Sequence, residues 1–553
     1  MSVTLNDKIH LEVNFETYIT GKLAMLEGDG WRVSNNDVGF DPNTALYLPD
    51  FIEYVSATAP EKVEKMQKAF GANWENNLKL QLIKSLETRG TVLTLREGFA
   101  IAGYQTIICS GHIPDDPRLP KLKEFYDKNI LRVMRQVHYQ TAGNKSLDLV
   151  FFVNGIPVAT AEVKTELTQS VEDAILEYQN ERKPIEPGTN RKNYLLMYKR
   201  GAVVHFAISE DEIWMCTDLT PKQPKFLPFN KGTEDGHAGN PPIQEGDTDY
   251  PTGYLWNEIC RKDNWLRIFH NFVFEEVFKK EDLTGRIKEQ RTQIFPRFHQ
   301  WDVVTKCIED VKKLGIGQRY LIEHSAGSGK TETITWVAHE LIRLMEPNGE
   351  RKFSSVIVVT DRVGLDTNIK GTIQQLKKTM GLIEMVGGDA EHKTSGAKSK
   401  QLAKALHDKR EIIVVTLQTF PFALEAIAED PALTGSNFAV LIDEAHSSQE
   451  GSFSSKMRSA LKYAAKKAKT KIDEEEATDE DAMNAYFLQM QDAKSMPTNV
   501  SFFAFTEPRR QRPRPSLVVR VIRKTKRRVR RSPSPSICIR CVRPSRKAIS
   551  LTY

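Results

Sequence analysis

Two groups of residues in this chain have the types and spacing to do phosphate chemistry. The first is His324-Ser325-Ala326-Gly327-Ser328-Gly329-Lys330-Thr331, which follows the apolar run Tyr320-Leu321-Ile322 and precedes the helical pattern TETITWVAHELIRL. Small residues from Ser325 to Gly329 let backbone N–H groups close around phosphates, and the start of the next helix favours negative charge there. Lys330 then reaches the terminal phosphates and Thr331 ligates Mg²⁺, so the segment reads as a nucleotide-binding loop. His324 stands where such loops usually begin with glycine. Further along, Asp443-Glu444-Ala445-His446 ends the apolar run Phe438-Ala-Val-Leu-Ile442. A carboxylate at the end of a buried strand, Asp443, can hold the Mg²⁺ that bridges the phosphates, and Glu444 can orient or deprotonate the attacking water.

The second group is Asp148, Glu162 and Lys164, within SLDLVFFVNGIPVATAEVK at 146–164. Two β-rich runs flank Asn154-Gly155, a strong hairpin signal. Glu162 and Lys164 lie two apart on a strand and so face the same way, and Asp148 on the partner strand can reach the same ion. Asp148 and Glu162 would bind Mg²⁺, which activates water, while Lys164 would orient the nucleophile or stabilise developing negative charge. A Glu-x-Lys triplet by itself is also what a solvated strand or helix face looks like, so its context matters.

The elements that must carry these residues follow from periodicity. From Phe15 to about Thr217 helical patterns such as FETYITGKLAML alternate with β-rich runs such as LDLVFFV and VVHFAI, which is α/β or α+β in character. The segment PKQPKFLPFNKGTEDGHAGNPPIQEGDTDYPTGYLW has little apolar periodicity and reads as an interdomain connection or an ordered surface loop. After Ile294 the order becomes strand, Gly-rich loop, helix, then β-branched runs at SSVIVVT, EIIVVT and FAVLIDEA, the rhythm of a doubly wound parallel sheet. KYAAKKAKTKIDEEEATDEDAMN reads as a solvated helix or insertion.

Helicase-like pieces surround the nucleotide loop. Arg297-Phe-His-Gln300 resembles the adenine-reading Q motif of superfamily 2 helicases, with Arg297 and Gln300 as base contacts. Thr360-Asp361-Arg362 and Thr416-Leu417-Gln418-Thr419 match positions where such motors touch the DNA backbone, although each alone is also an ordinary polar strand end. With Asp148, Glu162 and Lys164 upstream of a DEAH-type motor, the arrangement over most of residues 1–506 resembles the R subunit (HsdR) of type I restriction enzymes. The resemblance implies an α/β chain with a PD-(D/E)xK-type nuclease domain at 1–220 and a connecting segment at 221–290. The first RecA-like lobe of a superfamily 2 motor would follow at 291–506. It further implies ATP-dependent translocation on double-stranded DNA coupled to Mg²⁺-dependent cleavage, with methyltransferase and specificity subunits as partners. Glu16 corresponds to the family's early acidic residue. At the family's Gln/Tyr motif this chain has Glu177-Tyr178-Gln179, a departure from the pattern. The competing reading is a non-enzymatic remnant that binds only nucleotide or partners.

Charge restricts where DNA could be held. The +6 of the 553-residue chain is uneven: residues 507–553 carry thirteen Arg, three Lys and one acidic residue, or +15, which leaves −9 for residues 1–506. DNA contacts on the acidic body must therefore be local sites. The tail is a basic nucleic-acid arm in one reading. In the other it is out of frame and disordered. Shifted by one base, EPRRQRP permits GTPKAKT and SICIRCVRPSRKAISLTY permits FHMYSMRQAIEEGYFLDV, which would continue the helicase pattern after Thr506. The second reading expects nucleotide binding without processive translocation, because the arginine finger of a second lobe would be missing. Six scattered cysteines, no long apolar run and no secretory leader lead to the expectation of a cytoplasmic protein with no membrane span.

Overall fold

The computed structural model of the chain describes residues 5–26, 31–101, 103–116, 118–165, 170–233, 239–243, 248–281, 287–324, 327–360, 383–386, 395–416, 420, 427, 430–431, 433, 435–443, 499–506, 518–520 and 538–540. Two units result, Met1–Thr233 with Ala238–Phe298, and His299–Tyr553 with Glu234–His237.

The first unit opens with helix α1 (Leu5–Ala24) and strand β1 (Trp31–Ser34). Four helices follow: α2 (Leu48–Thr58), α3 (Pro60–Phe70), α4 (Trp74–Arg89) and α5 (Thr91–Glu97). Strands β2 (Phe99–Ile101) and β3 (Tyr104–Ile107) pair as a small hairpin before α6 (Pro120–Asp127). Prolines open α2, α3 and α6, where the first turn has no use for a backbone N–H. The main sheet then adds β4 (Leu131–His138), β5 (Ser146–Val153) and β6 (Ile156–Val163), followed by helix α7 (Val171–Asn180). Strands β7 (Val204–Ile208), β8 (Ile213–Cys216) and β9 (Leu227–Pro228) complete it. Its order is β1-β4-β5-β6-β7-β8-β9, with β1–β4 and β6–β7 parallel and the other pairs antiparallel. Every residue of β6 is buried, as its near-continuous apolar sequence requires of a central strand.

Of the segment expected to connect two domains, 221–290, residues 221–233 and 238–290 fall in this first unit. Phe226, Phe229, Tyr254, Trp256 and Trp265 are all buried, and Trp265 packs against Trp31 and Phe151. Trp31 Nε1 donates to Cys260 O at 2.8 Å, and Arg96 Nε to Phe269 O at 2.8 Å. Isolated aromatics anchor this Pro/Gly-rich stretch without helical or strand periodicity, since burial depends on apolar area and not on regular spacing. Helix α8 (Lys262–Arg267) and the hairpin of β10 (Phe274–Glu281) with β11 (Ile287–Ile294) end the unit, which places its boundary at 298.

The second unit starts with α9 (Phe298–Leu314), β12 (Arg319–Glu323) and α10 (Lys330–Arg343). Strands β13 (Ser355–Thr360), β14 (Ile383–Val386), β15 (Ile412–Thr416), β16 (Phe438–Ile442) and β17 (Val500–Thr506) follow, with a helix at Ser395–His407 before β15. All strand pairs in this sheet are parallel, in the order β12-β17-β16-β13-β15-β14. The β-branched runs read from the sequence are its central strands, and Ile357, Val359, Ile413, Val440 and Phe502 share one core with Leu402 and Leu406. Of the tail expected to be disordered, Val518–Arg520 and Cys538–Arg540 pair antiparallel, and the remainder lies outside the described residues. No described helix is long and apolar enough to cross a membrane, and Cys109, Cys216, Cys260 and Cys307 are free, buried thiols.

Candidate functional site

Strand register brings the nuclease candidates into one row. Pairs Arg135↔Leu149 and Val137↔Leu147 put Gln136 of β4 opposite Asp148 of β5. On the other side, Val150↔Thr160 and Leu149↔Ala161 continue to place Asp148 opposite Glu162 of β6. That last alignment depends on a bulge. The tight turn begins the ladder with Val153↔Ile156 and Phe152↔Pro157, but the next pair is Phe151↔Ala159, so Val158 is an extra residue. A regular hairpin from this turn would have put Ala161 opposite Asp148 and turned Glu162 to the other face. Pro157 has no N–H to give the ladder, and a bulge is where a central strand tolerates that.

The turn itself is held from inside. Asn154 and Gly155 have φ of 50° and 73°, the left-handed pair that a two-residue hairpin needs. Asn154 is fully buried; its Oδ1 accepts from Ile130 N at 2.7 Å and its Nδ2 donates to Cys109 O at 2.8 Å and Asn129 Oδ1 at 2.9 Å.

Around Glu162 the charges are paired on one side only. Its Oε1 accepts from Arg182 Nε at 2.5 Å, while Oε2 is buried with no hydrogen-bond partner among the described residues. Arg182 also engages Glu177, whose other oxygen lies 3.1 Å from Lys164 Nζ. Asp148 Oδ2 accepts from Val163 N at 2.7 Å, and its Oδ1 from Gln136 Nε2 at 3.1 Å. The same amide donates to Glu16 Oε1 at 2.8 Å, and Arg135 Nε to Glu16 Oε2 at 3.3 Å. Three acids thus crowd one face of the sheet beneath α1. Burial first, and the Asp148 charge second, push Glu16 up to about 7. Burial followed by the Asp148 and Glu177 charges raises Glu162 well above the carboxylate range, against the pull of Arg182. Burial opposes the charge on Arg182, yet Glu162 and Glu177 outweigh it and its pKa rises.

This donor set fits a hard divalent cation. Among the described residues no three His, Cys, Asp or Glu side chains form a ready-made cage. Mg²⁺ does not need one, since it is commonly held by one or two carboxylates with water and substrate phosphate in the remaining positions. Glu162 Oε2, without a partner among the described residues, supplies that pair with Asp148, and an opening lined by Lys164, Asp173, Leu176, Glu177, Asn180 and Glu181 lies on the side of Lys164 and Glu177.

Of Glu177-Tyr178-Gln179, only Glu177 reaches the site. The Tyr178 hydroxyl lies 2.8 Å from Thr160 Oγ1, which also meets His205 Nδ1 at 2.8 Å, and Gln179 Nε2 donates to Pro224 O at 2.9 Å. Burial pushes His205 down to about 3 and raises Tyr178 well above its usual value, so this hydrogen-bonded chain is neutral. Gln136, Arg135 and Arg182 were not marked by sequence reasoning. No local pattern distinguishes them, because their roles come from strand pairing and from where α7 ends.

In the second unit the described part of the nucleotide loop runs from strand to helix. Gly327 and Gly329 have φ of 70° and 83°, and a Cβ on Gly329 would stand 2.2 Å from Gln300 Nε2. Gln300, expected at a base, donates to Gly329 O at 2.9 Å, and His299 Nε2 meets Ser328 O at 3.0 Å. His324 is fully buried and its Nδ1 meets Ser328 Oγ at 2.8 Å, so the residue in the usual glycine position braces the loop. Lys330 and Thr331 open α10, and Lys330 Nζ lies 3.5 Å from Asp443 Oδ1 at the end of β16. Ser325, Ala326, Glu444, Asp361–Arg362, Leu417–Thr419 and the charged segment after 460 lie outside the described residues.

The two units define a class, an R-protein N terminus followed by a SWI2/SNF2-type ATPase. A family model of the type I restriction enzyme R protein N terminus (HSDR_N) matches residues 26–224, and one of the SWI2/SNF2 ATPase matches residues 299–489. The chain belongs to the type I restriction enzyme R-subunit (HsdR) family. A Methanocaldococcus jannaschii protein assigned as the MjaVIIIP endonuclease subunit of a type I restriction enzyme is 24% identical over 61% of this chain and 31% of its own length. The type I restriction enzyme HindI endonuclease subunit of Haemophilus influenzae is 23% identical over 57% of this chain and 27% of its own length. The chain therefore spans about a third of the curated relatives it matches. A fragment structure of an HsdR-type subunit from Vibrio vulnificus YJ016 aligns over 69% of this chain and 52% of that one, at 13% identity and a TM-score of 0.23.

Proposed function

We propose that the chain contributes the cleavage and motor functions of a type I restriction-modification system. In this reading the first unit is a PD-(D/E)xK-type, Mg²⁺-dependent DNA nuclease, and the second is the first RecA-like lobe of a DEAH-type, ATP-driven DNA translocase. The partners are double-stranded DNA and the methyltransferase and specificity subunits, in the cytoplasm. The observation that carries the nuclease half is the row of Asp148, Glu162 and Lys164 on one sheet face, with Glu162 Oε2 buried and without a hydrogen-bond partner among the described residues.

Asp148 and Glu162 would hold the cation, with Glu16 beside them. A bound Mg²⁺ lowers the pKa of its water and offsets charge on the scissile phosphate. Arg182 holds one oxygen of Glu162 so that the other stays directed into the site. Glu177 restrains Lys164, which stabilises the negative charge that develops on the phosphate. In the motor, Lys330 reaches the terminal phosphates, Thr331 and Asp443 hold Mg²⁺, and Glu444 orients the attacking water. Ser325 to Gly329 wrap the phosphates, and Arg297 contacts the base. Support for the lobe comes from its all-parallel sheet, with Lys330 facing Asp443 across the ends of its strands.

The test is cutting of supercoiled plasmid by the purified chain with and without Mg²⁺. Metal-dependent nicking is expected, and it should be lost in Asp148→Ala. Equal cutting by that variant overturns the assignment, and absence of cutting by the parent favours a chain that only binds nucleotide or partners.

A further inference from the structure

One backbone outlier lies inside the nuclease face. Gln136 sits in the middle of β4 with φ of 51°, a left-handed conformation that non-glycine residues rarely adopt and that a strand does not ask for. The pairs on either side, Arg135↔Leu149 and Val137↔Leu147, keep one register, so the distortion is confined to this residue. Strain of this kind persists only where surrounding contacts hold it, and it gathers at functional sites.

The contacts that hold it are specific. The Gln136 side-chain oxygen accepts from Ser146 Oγ at 3.0 Å, which fixes the orientation of the amide. Its nitrogen then gives one hydrogen to Glu16 Oε1 at 2.8 Å and the other to Asp148 Oδ1 at 3.1 Å. Glu16 comes from α1 and Asp148 from β5, elements far apart in sequence, and this amide is the direct link between their carboxylates. An amide is suited to the task. It supplies two N–H donors in one plane and no charge, so it gathers two acids without competing with a cation for the site.

We propose that Gln136 is a positioning residue that sets the Glu16 and Asp148 carboxylates for one divalent cation, its strained backbone being the condition for that reach. The proposal rests on the nuclease reading of the first unit. A glycine at 136 separates the two roles, because it adopts the left-handed conformation without strain while removing the amide.

The experiment titrates Mn²⁺ into the full chain by calorimetry, alongside thermal melts, for the parent, Gln136→Gly, Gln136→Met and Asp148→Ala. Removing an outer-shell partner of a metal ligand typically weakens metal binding about 10- to 100-fold. Both Gln136 variants should bind Mn²⁺ at least about 10-fold more weakly. The Gln136→Gly variant should do so with a melting temperature at or above the parent's, and half-maximal metal for nicking should rise more than maximal rate falls. Parental Mn²⁺ affinity in both variants overturns the role of Gln136 alone, as does a loss that only follows a lowered melting temperature in both. A parent with no Mn²⁺ binding that Asp148→Ala removes overturns the nuclease reading and this inference together.

Discussion

Burial and a neighbouring charge act in the same direction on Glu16. Its carboxyl is 1% exposed and is raised from 4.5 to about 7, so the folded, metal-free chain holds this proton more tightly than the unfolded chain does. The contribution to stability is fully present below 4.5 and is lost as pH rises through about 7. Between about pH 5 and about pH 8 in EDTA, the parent should lose on the order of 3 kcal/mol relative to Glu16→Gln, which has no proton to give up. Chemical denaturation of both proteins across that range measures it, and parallel pH profiles would refute the placement of Glu16. Added Mg²⁺ should narrow the gap, since a cation compensates the charge that burial penalises.

Among the elements, the β5–β6 hairpin decides whether a site exists. Its turn was legible, because Asn-Gly between two β-rich runs specifies a two-residue connection through backbone sterics alone. Gly155→Ala should be destabilising by more than about 1 kcal/mol, since φ of 73° disfavours a side chain and the new Cβ would lie 2.0 Å from Tyr47 O. Urea unfolding measures this, and an unchanged midpoint would contradict the packing of Tyr47 over the turn. The bulge at Val158 was not legible. The spacing of Glu162 and Lys164 showed that they share a face, but which face depended on one extra residue, and sequence spacing across a turn does not register a bulge. The same limit hid Gln136 and Arg182, whose partners lie on other strands and helices.

At the scale of the molecule the chain divides into two units, and residues 221–233 and 238–290 of the expected connecting segment fall in the first, whose last residue is Phe298. Buried Phe229, Trp256 and Trp265 make that segment part of the first unit's core, so its Pro/Gly content marks irregular backbone and not a linker. For the second unit, Lys330→Ala should weaken binding of a fluorescent ATP analogue by about 10-fold or more, the loss expected for a charge-assisted contact to phosphate. Undiminished binding would remove Lys330 from the nucleotide site.

The sequence by itself determined the strand-to-helix order around the Gly-rich loop, the strand-end Asp443, the Asn154-Gly155 turn and the runs that became parallel strands, because each depends on residues close along the chain. Tertiary structure decided what depends on residues far apart: the bulge that turns Glu162 toward Asp148, the Gln136 amide between Glu16 and Asp148, and the burial of Arg182 against Glu162. It also tied the Gln300 amide to the loop backbone at Gly329. Local patterns follow from backbone sterics and periodicity, whereas the pairing of charges in a buried site is settled only when strand register and helix packing bring them within hydrogen-bond reach.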